Sequence, residues 1–595
     1  MLNNFKKLYF FYLELLEHIS FKRKTHLLYL LFLILASAAS EIVTLGSIFP
    51  FLSILINPAY LIDNKYILFL FPHIRTLSHH NLILLLAIFL SVAAILSGIL
   101  RLSLAWATSN LSLSIGRDLS LAVYRQTLYQ NYEIHLKRNS SVIIDTIVNK
   151  INQTTGVVFS LLNFFSALIS LIFILISLLF IKTNVLIFVL FIFGLTYFFI
   201  INIIKNKVRK YGEIIALNSS GIIKSLQESL GNIKDIILDQ NYNYYIKRYE
   251  DSDRKIKKAR ANTYFLSIVP RYALETFAMV IFSAFIFLYI KLENDNINAI
   301  IPTIGLLALA AQRLLPILQQ LYQSFIVTIS NEFSARETLK LLNNSYNHIK
   351  ISRRLLKNYS SFKFNRIDLI NIDYFYSYKK SPVIQSLNLT IKRGDIVGIV
   401  GPSGVGKSTL LNILMGLLKP KGGIIRLNNI DINDKNRFLL QSMISHVPQD
   451  IYLSDSSIRE NIALGVELVD INDNLVKKIA EISQLSKFIE RLPLKFDTLV
   501  GERGAQLSGG QLQRIGIARA LYKQNEILIL DEATNALDSV TEDRLLKSIN
   551  SNYKHLTLII ISHRQKTLKY CNKIFDLSSR QYKTFKIPRF SKPQL

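Results

Sequence analysis

The pattern of apolar and polar positions divides this chain in two. Over roughly the first 330 residues, apolar runs of ~20 or more residues recur, the length a helix needs to cross a bilayer, and over the last ~230 none does. Six runs stand out. They are Leu27–Leu55, interrupted by Glu41; Leu82 to Trp106, interrupted by Arg101; a third ending at Ile181; Thr183–Ile204; Phe265–Ile290; and Ile297–Ile329. Lys182 alone separates the third from the fourth, which predicts a tight hairpin at one membrane face. Ser109–Gln153 and Lys205–Asn262 keep a helical pattern and are expected to prolong the membrane helices into water. Tyr132–Lys137 and Ser219–Leu226 are candidates either for turns that touch a cytoplasmic domain or for ordinary solvated loops.

From about Phe364 the pattern changes. Short β-rich runs end in glycines and alternate with helical segments, as in an α/β domain. The expected architecture is multidomain: an all-α six-helix transmembrane domain over 1–332, a linker over 333–365, an α/β P-loop domain over 366–580 and a tail over 581–595.

Composition supports that division. Half of the 595 residues are hydrophobic and 19% are charged, and the mean hydropathy is +0.30, which excludes a disordered chain and an ordinary soluble enzyme. The net charge is +29, yet no nucleic-acid motif accompanies it, so no nucleic-acid partner is expected. The basic residues instead follow the positive-inside rule. Lys22, Arg23 and Lys24 precede the first run. The connection between the fourth and fifth carries Lys205, Lys207, Arg209 and Lys210, and a second group from Lys247 to Lys258. The other side has Lys182 and the acidic turn Glu293-Asn294-Asp295. Both termini are therefore expected in the cytoplasm, with the protein in the cell (inner) membrane. Asn57–His80 falls on the outer face as a short interfacial helix. The single cysteine, Cys571, has no partner for an intrachain disulfide.

The chemistry sits in the second half. A strand-like run, Ile396–Val400, leads into Gly401-Pro402-Ser403-Gly404-Val405-Gly406-Lys407-Ser408-Thr409 and then into an apolar helix, Leu410–Leu418. This is a P-loop in its strand–loop–helix setting. Its backbone N–H groups wrap phosphate oxygens, Lys407 reaches the β- and γ-phosphates, and Ser408 ligates Mg²⁺. The apolar strand Ile527–Leu530 ends in Asp531 and Glu532, placing Asp531 to hold Mg²⁺ and Glu532 where a general base acts on water. Ser508-Gly509-Gly510-Gln511 opens another helix and makes a second anion site. Tyr376 precedes the P-loop at a spacing that suits stacking on adenine, although such an aromatic also suits a core.

These residues resemble the ATP-binding cassette of ABC transporters, over about 366–577. In that resemblance Leu507–Gln511 matches the signature motif, Gln449 the glutamine that helps hold Mg²⁺, and Ala536-Leu537-Asp538 the D-loop. His563 matches the switch histidine at the γ-phosphate, and Thr498–Gly504 the segment that exporters place against membrane-domain turns. Asn535, Leu512 and the run Ser578–Gln581 depart from the family pattern outside its catalytic positions. The resemblance implies ATP and Mg²⁺ as cofactors, with Glu532, His563 and Gln449 catalytic. ATP would lie between the P-loop of one cassette and the signature of another, so the chain is expected to be half of a homodimeric exporter. A soluble repair or translation ATPase is excluded by the six runs. An ATP-gated channel or regulator remains as a second class.

Three arginines interrupt the apolar runs: Arg101, Arg271 and Arg313. A charge near the bilayer centre costs roughly 2.5–3.5 kcal/mol on insertion scales, so such residues mark a cavity or a structural pair. Glu275 lies four residues after Arg271, and Glu41 is available to pair with another of them. As a cavity lining they suit an anionic, phosphate-bearing substrate. The membrane half also resembles the lipid-linked oligosaccharide flippases of bacterial protein N-glycosylation. That likeness rests on Asn64-Lys65-Tyr66, Val269-Pro270-Arg271 with Leu274-Glu275, and Arg313-Leu314 with Pro316. It implies a lipid-linked or anionic amphipathic substrate, with polysaccharide, lipid, peptide or drug export left open.

Overall fold

The computed structural model describes residues 13–56, 79–179, 183–292, 297–343, 363–376 and 381–584. The chain forms two compact units, residues 1–130 with 134–347 and residues 131–133 with 348–595.

Among the described residues the first unit is built from six long helices: α1 (Phe21–Ile56), α2 (His79–Tyr129), α3 (Ile151–Leu179), α4 (Thr183–Gly231), α5 (Tyr242–Leu292) and α6 (Ile297–Asn343). Among the described residues, three stretches are long and apolar enough to cross a membrane: Phe21–Thr44, His80–Tyr129 and Ser140–Ile176. α2 and α5 have 51 residues each, about 75 Å of helix, more than twice the ~30 Å hydrocarbon core of a bilayer. The hairpin at Lys182, the acidic turn Glu293–Asp295, and all of Asn57–His80 except its last two residues lie outside the described residues.

The expected turn at Ser219–Leu226 is a correction. That segment is continuous helix within α4, which ends only at Gly231, and the next break is at Gln240, whose backbone is left-handed. Ser219 is not a surface turn because its face is covered. Ser219 and Ser220 both donate to the fully buried carboxylate of Asp145, the Ser220 bond being 2.6 Å, and Lys150 lies 3.5 Å from the same group. Tyr132–Lys137 does form a separate short helix.

Two crossings hold the helices together. A Cβ on Gly212 of α4 would collide with the Ser330 carbonyl of α6, so glycine permits this close approach. Beside it Glu332 of α6 is gripped by Arg209 at 3.1 Å and Arg336 at 2.8 Å. In α5, Pro270 has no N–H to give the Leu266 carbonyl. The buried Tyr322 of α6 donates to that carbonyl instead, at 2.9 Å. The last helix runs on to Asn343, into the segment expected as linker.

The second unit has two sheets. β1 (Arg366–Tyr374), β2 (Ile384–Lys392), β4 (Gly422–Leu427) and β5 (Ile430–Asp431) form an antiparallel sheet in the order β2-β1-β4-β5. The other sheet has the order β10-β9-β3-β8-β7-β6. Its strands are β3 (Ile396–Val400), β6 (Ile444–Val447), β7 (Ile527–Asp531), β8 (Thr557–Ile561), β9 (Lys573–Asp576) and β10 (Gln581–Thr584). It is parallel from β9 to β6, and its central strands are runs of buried Ile, Leu and Val, as strands covered on both faces require. β10 pairs antiparallel with β9, so Gln581–Thr584 belongs to the sheet, and the expected start of the tail at 581 is too early. Arg580, with φ of 58°, takes a left-handed position in the turn before β10, one that favours glycine. Residues 131–133 group with this unit, where Arg437 donates to Asn131 at 2.6 Å.

Candidate functional site

In a parallel sheet the ligand crevice lies at the carboxyl ends of the strands. Here the ends of β3, β8, β7 and β6, four consecutive neighbours, deliver the P-loop, His563, Asp531-Glu532 and Gln449 respectively. Residues far apart in the chain therefore meet because of strand order.

The P-loop joins β3 to α7 (Lys407–Leu414). Gly404 and Gly406 have φ of 81° and 107°, and a Cβ on Gly406 would meet the Val383 side chain at 3.0 Å. Only glycine keeps that backbone cradle open to phosphate oxygens. Lys407 Nζ lies across the loop, donating to the Gly401 carbonyl at 2.7 Å and the Pro402 carbonyl at 3.3 Å, and stands 3.1 Å from His563 Nε2. Thr409 is buried and its hydroxyl is 3.1 Å from that of Tyr376, which brings Tyr376 to the P-loop. The Tyr376 ring also packs against the cassette core and edge-on to Tyr374, the core role that such an aromatic suits.

Glu532 is the hub. His563 Nε2 is 3.4 Å from its Oε1, and Gln449 and Asn535 donate to its Oε2 at 3.3 and 2.9 Å. Its backbone sits at φ of 50°, an unfavourable conformation for a branched chain end, held by its N–H bond to the Ile561 carbonyl. Burial raises the pKa of Asp531 above the ordinary carboxylate value. The Glu532 charge adds to the rise, and Lys407 opposes it. Two acids and one lysine thus share a site that gains from added positive charge. The exposed Ser408 hydroxyl, the Asp531 carboxylate and the Gln449 amide oxygen are an all-oxygen donor set suited to Mg²⁺. Among the described residues no cluster of three His, Cys, Asp or Glu stands at metal-binding spacing.

The second anion site stands apart. Ser508 caps α8 (Gly509–Tyr522) in a reciprocal box, its N–H bonding Gln511 Oε1 at 2.8 Å and its Oγ accepting from Gln511 N at 3.4 Å. Gly509 and Gly510 pack on Ala536, whose N–H donates to Gln513 at 2.8 Å. Asp538 caps α9 (Ser539–Asn552) by accepting from Thr541 N, which holds its pKa below the usual range. Among the described residues no hydrogen bond or ion pair joins Ser508–Gln511 or Asp538 to the P-loop.

Sequence reasoning passed over two supports of the site. Asn535 was noticed only as a departure, yet it holds Glu532. Arg564, next to His563, ties that loop to the D-loop through the Asn535 and Leu537 carbonyls at 2.6 and 2.9 Å and reaches the buried Glu542 at 3.4 Å. Glu542 also accepts from Thr534 and Thr567, both at 2.7 Å. An Asn three residues after an acid at a strand end was the available signal for the first; the second had none.

In the first unit Arg101 pairs with the buried Glu41 at 2.8 Å, and Arg271 pairs with Glu275 at 2.8 Å while half of its side chain stays exposed. Arg313 is half-buried.

Comparison with known proteins agrees with this geometry. Residues 27–328, just over half of the chain, match the ABC transporter transmembrane region, and 384–535 match the ABC transporter ATP-binding family. An ATP-dependent lipid A-core flippase 2 of Colwellia psychrerythraea is 28% identical over 389 residues, 64% of either chain. The chloroplastic ABC transporter B family member 29 of Arabidopsis thaliana is 40% identical over 209 residues, 35% of this chain and 33% of that one. The chain thus spans a third to under two thirds of these relatives' lengths. A solved bacterial Atm1-family ABC exporter with ATP bound shares the fold at a TM-score of 0.76, with 20% identity over 93% of each chain. The P-loop, the acids at the end of β7 and the long helices together place this chain in the ABC transporter family, carrying a transmembrane region and an ATP-binding domain, with a fold shared with a solved exporter of that family.

Proposed function

We propose that the chain hydrolyses ATP as a homodimer in the cell (inner) membrane, both termini cytoplasmic, to flip or export an anionic amphiphile, in its sharpest form a lipid-linked oligosaccharide. The observation that carries the ATPase is the meeting of Lys407, Gln449, Glu532 and His563 at one sheet edge. Lys407 would take up phosphate charge, and Mg²⁺ held by Ser408, Asp531 and Gln449 would supply more positive charge. Glu532, held by Gln449 and Asn535, accepts a proton from water, and His563 bridges Glu532 and the phosphate side. Among the described residues Ser508–Gln511 have no bond to their own P-loop, which supports their serving the partner's site. Residues 131–133 group with the cassette, which supports Tyr132–Lys137 as a coupling turn.

The anionic substrate rests on Arg101, Arg271 and Arg313 and on a relative named a lipid A-core flippase. Its test is ATPase stimulation in proteoliposomes, screened across polyprenyl-pyrophosphate glycans, lipopolysaccharide precursors, phospholipids and cationic drugs. Stimulation by the pyrophosphate glycans is expected. Stimulation by cationic drugs alone overturns the substrate reading and leaves the ATPase standing.

A further inference from the structure

α5 runs for about twenty residues before its apolar stretch begins, on the side that the proposed orientation puts in the cytoplasm, and its charges there are unevenly placed. Ile256, Ala259 and Leu274 are buried and mark the stripe packed on the unit. At 100° per residue, Lys257, Arg260, Tyr264, Arg271 and Glu275 share one adjoining sector of about 60°. Lys257, Arg260, Tyr264 and Arg271 are all exposed. Lys257 and Arg260 have no ion-pair or hydrogen-bond partner among the described residues, although Asp253 lies one turn below. Arg254, by contrast, is paired with Asp251 at 3.0 Å. From Lys257 to Arg271 the sector holds no carboxylate.

Position along the axis gives this face a purpose. Tyr264 and Phe265 are 70% and 61% exposed and open the apolar stretch, where aromatic residues sit at the membrane–water boundary. Arg260 is one turn, about 6 Å, below that boundary, at headgroup depth, and Arg271 is about 16 Å further along. Unpaired like charges on one face of a helix repel and add nothing to its fold. Clustered at the inner leaflet, they recognise anionic headgroups.

We propose that Lys257, Arg260 and Tyr264 form a cytoplasmic loading face on α5, which takes the phosphorylated headgroup of an anionic amphiphile from the inner leaflet and delivers it along the same helix face to Arg271. The two cations hold the phosphates and the tyrosine ring covers the first apolar atoms. This deepens the anionic-substrate reading and rests on it.

Native mass spectrometry of the detergent-solubilised full-length protein tests it, with farnesyl diphosphate, farnesol and phosphatidylglycerol as probes. Lys257→Gln/Arg260→Gln is expected to weaken farnesyl diphosphate binding by about tenfold and to leave phosphatidylglycerol binding unchanged. Lys257→Arg/Arg260→Lys, which keeps both charges, is expected to retain it. Lys247→Gln/Lys255→Gln, which removes the same charge from other faces of α5, should bind as the wild type does. Equal losses in the two glutamine pairs, or no loss in the first, overturn the loading face and spare the substrate reading. Equal loss of both lipids identifies a plain membrane anchor and likewise overturns it. A wild type that binds farnesyl diphosphate no better than farnesol removes the anionic-substrate reading, and the loading face falls with it.

Discussion

Glu532 in the cassette is held by groups from separate strand ends, Gln449 after β6 and His563 after β8, and by Asn535 three residues on. Arg101 and Arg271 in the membrane unit have one acid partner each, Glu41 from another helix and Glu275 from the next turn. In the cassette, convergence itself argues for chemistry: no fold needs two adjacent acids, a lysine and a histidine at one edge, and the cluster carries a strained backbone at Glu532. In the membrane unit a charge pair is enough to explain its own presence. Charge in a bilayer therefore marks a site only where some of it remains unanswered, as at the exposed half of Arg271.

The largest expected effect tests the cassette side. Glu532→Gln should cut ATP turnover by two orders of magnitude or more, since the amide takes no proton from water, while nucleotide binding persists. A phosphate-release assay beside a nucleotide-binding assay reads both. Near-normal turnover would leave the convergence at Glu532 without a catalytic purpose.

Next comes the pair that the comparison treats as structural. Arg101→Ala strands the buried Glu41, whose Oε2 already has no hydrogen-bond partner among the described residues, and should cost about 3 kcal/mol of stability. Thermal unfolding in detergent should show a clear drop, mostly recovered in Arg101→Met/Glu41→Gln. If that double variant is stable but inactive in flipping, Arg101 acts on substrate as well. Arg271 is expected to behave the other way. Arg271→Ala/Glu275→Gln removes an exposed surface pair worth little to folding, so it should unfold like the wild type yet flip lipid about tenfold more slowly, the loss of one charged hydrogen bond. Normal flipping would reduce Arg271 to a helix pair like Arg254 and Asp251.

These cases also show what was legible in the chain. The P-loop, the acids after β7, His563 and the signature are contiguous runs whose chemistry demands fixed spacing, so each could be read in place. Glu532's left-handed backbone and the Arg564–Glu542 tie arise where loops from different strands cross, and no local pattern encodes a crossing. Ser219–Leu226 looked like a turn because Ser219, Ser220 and Gly221 are poor helix formers. The buried Asp145 carboxylate outweighs that preference by taking both hydroxyls. The extension of the sheet to Thr584 has no glycine to announce its turn, because Arg580 takes the left-handed position itself.

The smallest expected effect separates two histidines of the same sheet. His563 is exposed beside Lys407 and Glu532, while His446 lies within β6 with a buried Nε2 that has no partner among the described residues. Burial, helped by the charge of Lys523, pushes the His446 pKa down to about 4. Its folded value is thus below the unfolded one near 6.5, and between these the unfolded chain binds the extra proton. The contribution of neutral His446 is therefore complete above about pH 6.5, falls as the pH drops toward 4, and changes no further below that. His446→Leu removes this one titration and leaves every other group in place. Wild type should lose on the order of 1–2 kcal/mol relative to the variant between pH 6.5 and 4.5, read as the difference of their unfolding midpoints. Parallel curves for the two proteins would mean that His446 reaches water and protonates freely, and that burial alone does not set the two histidines apart.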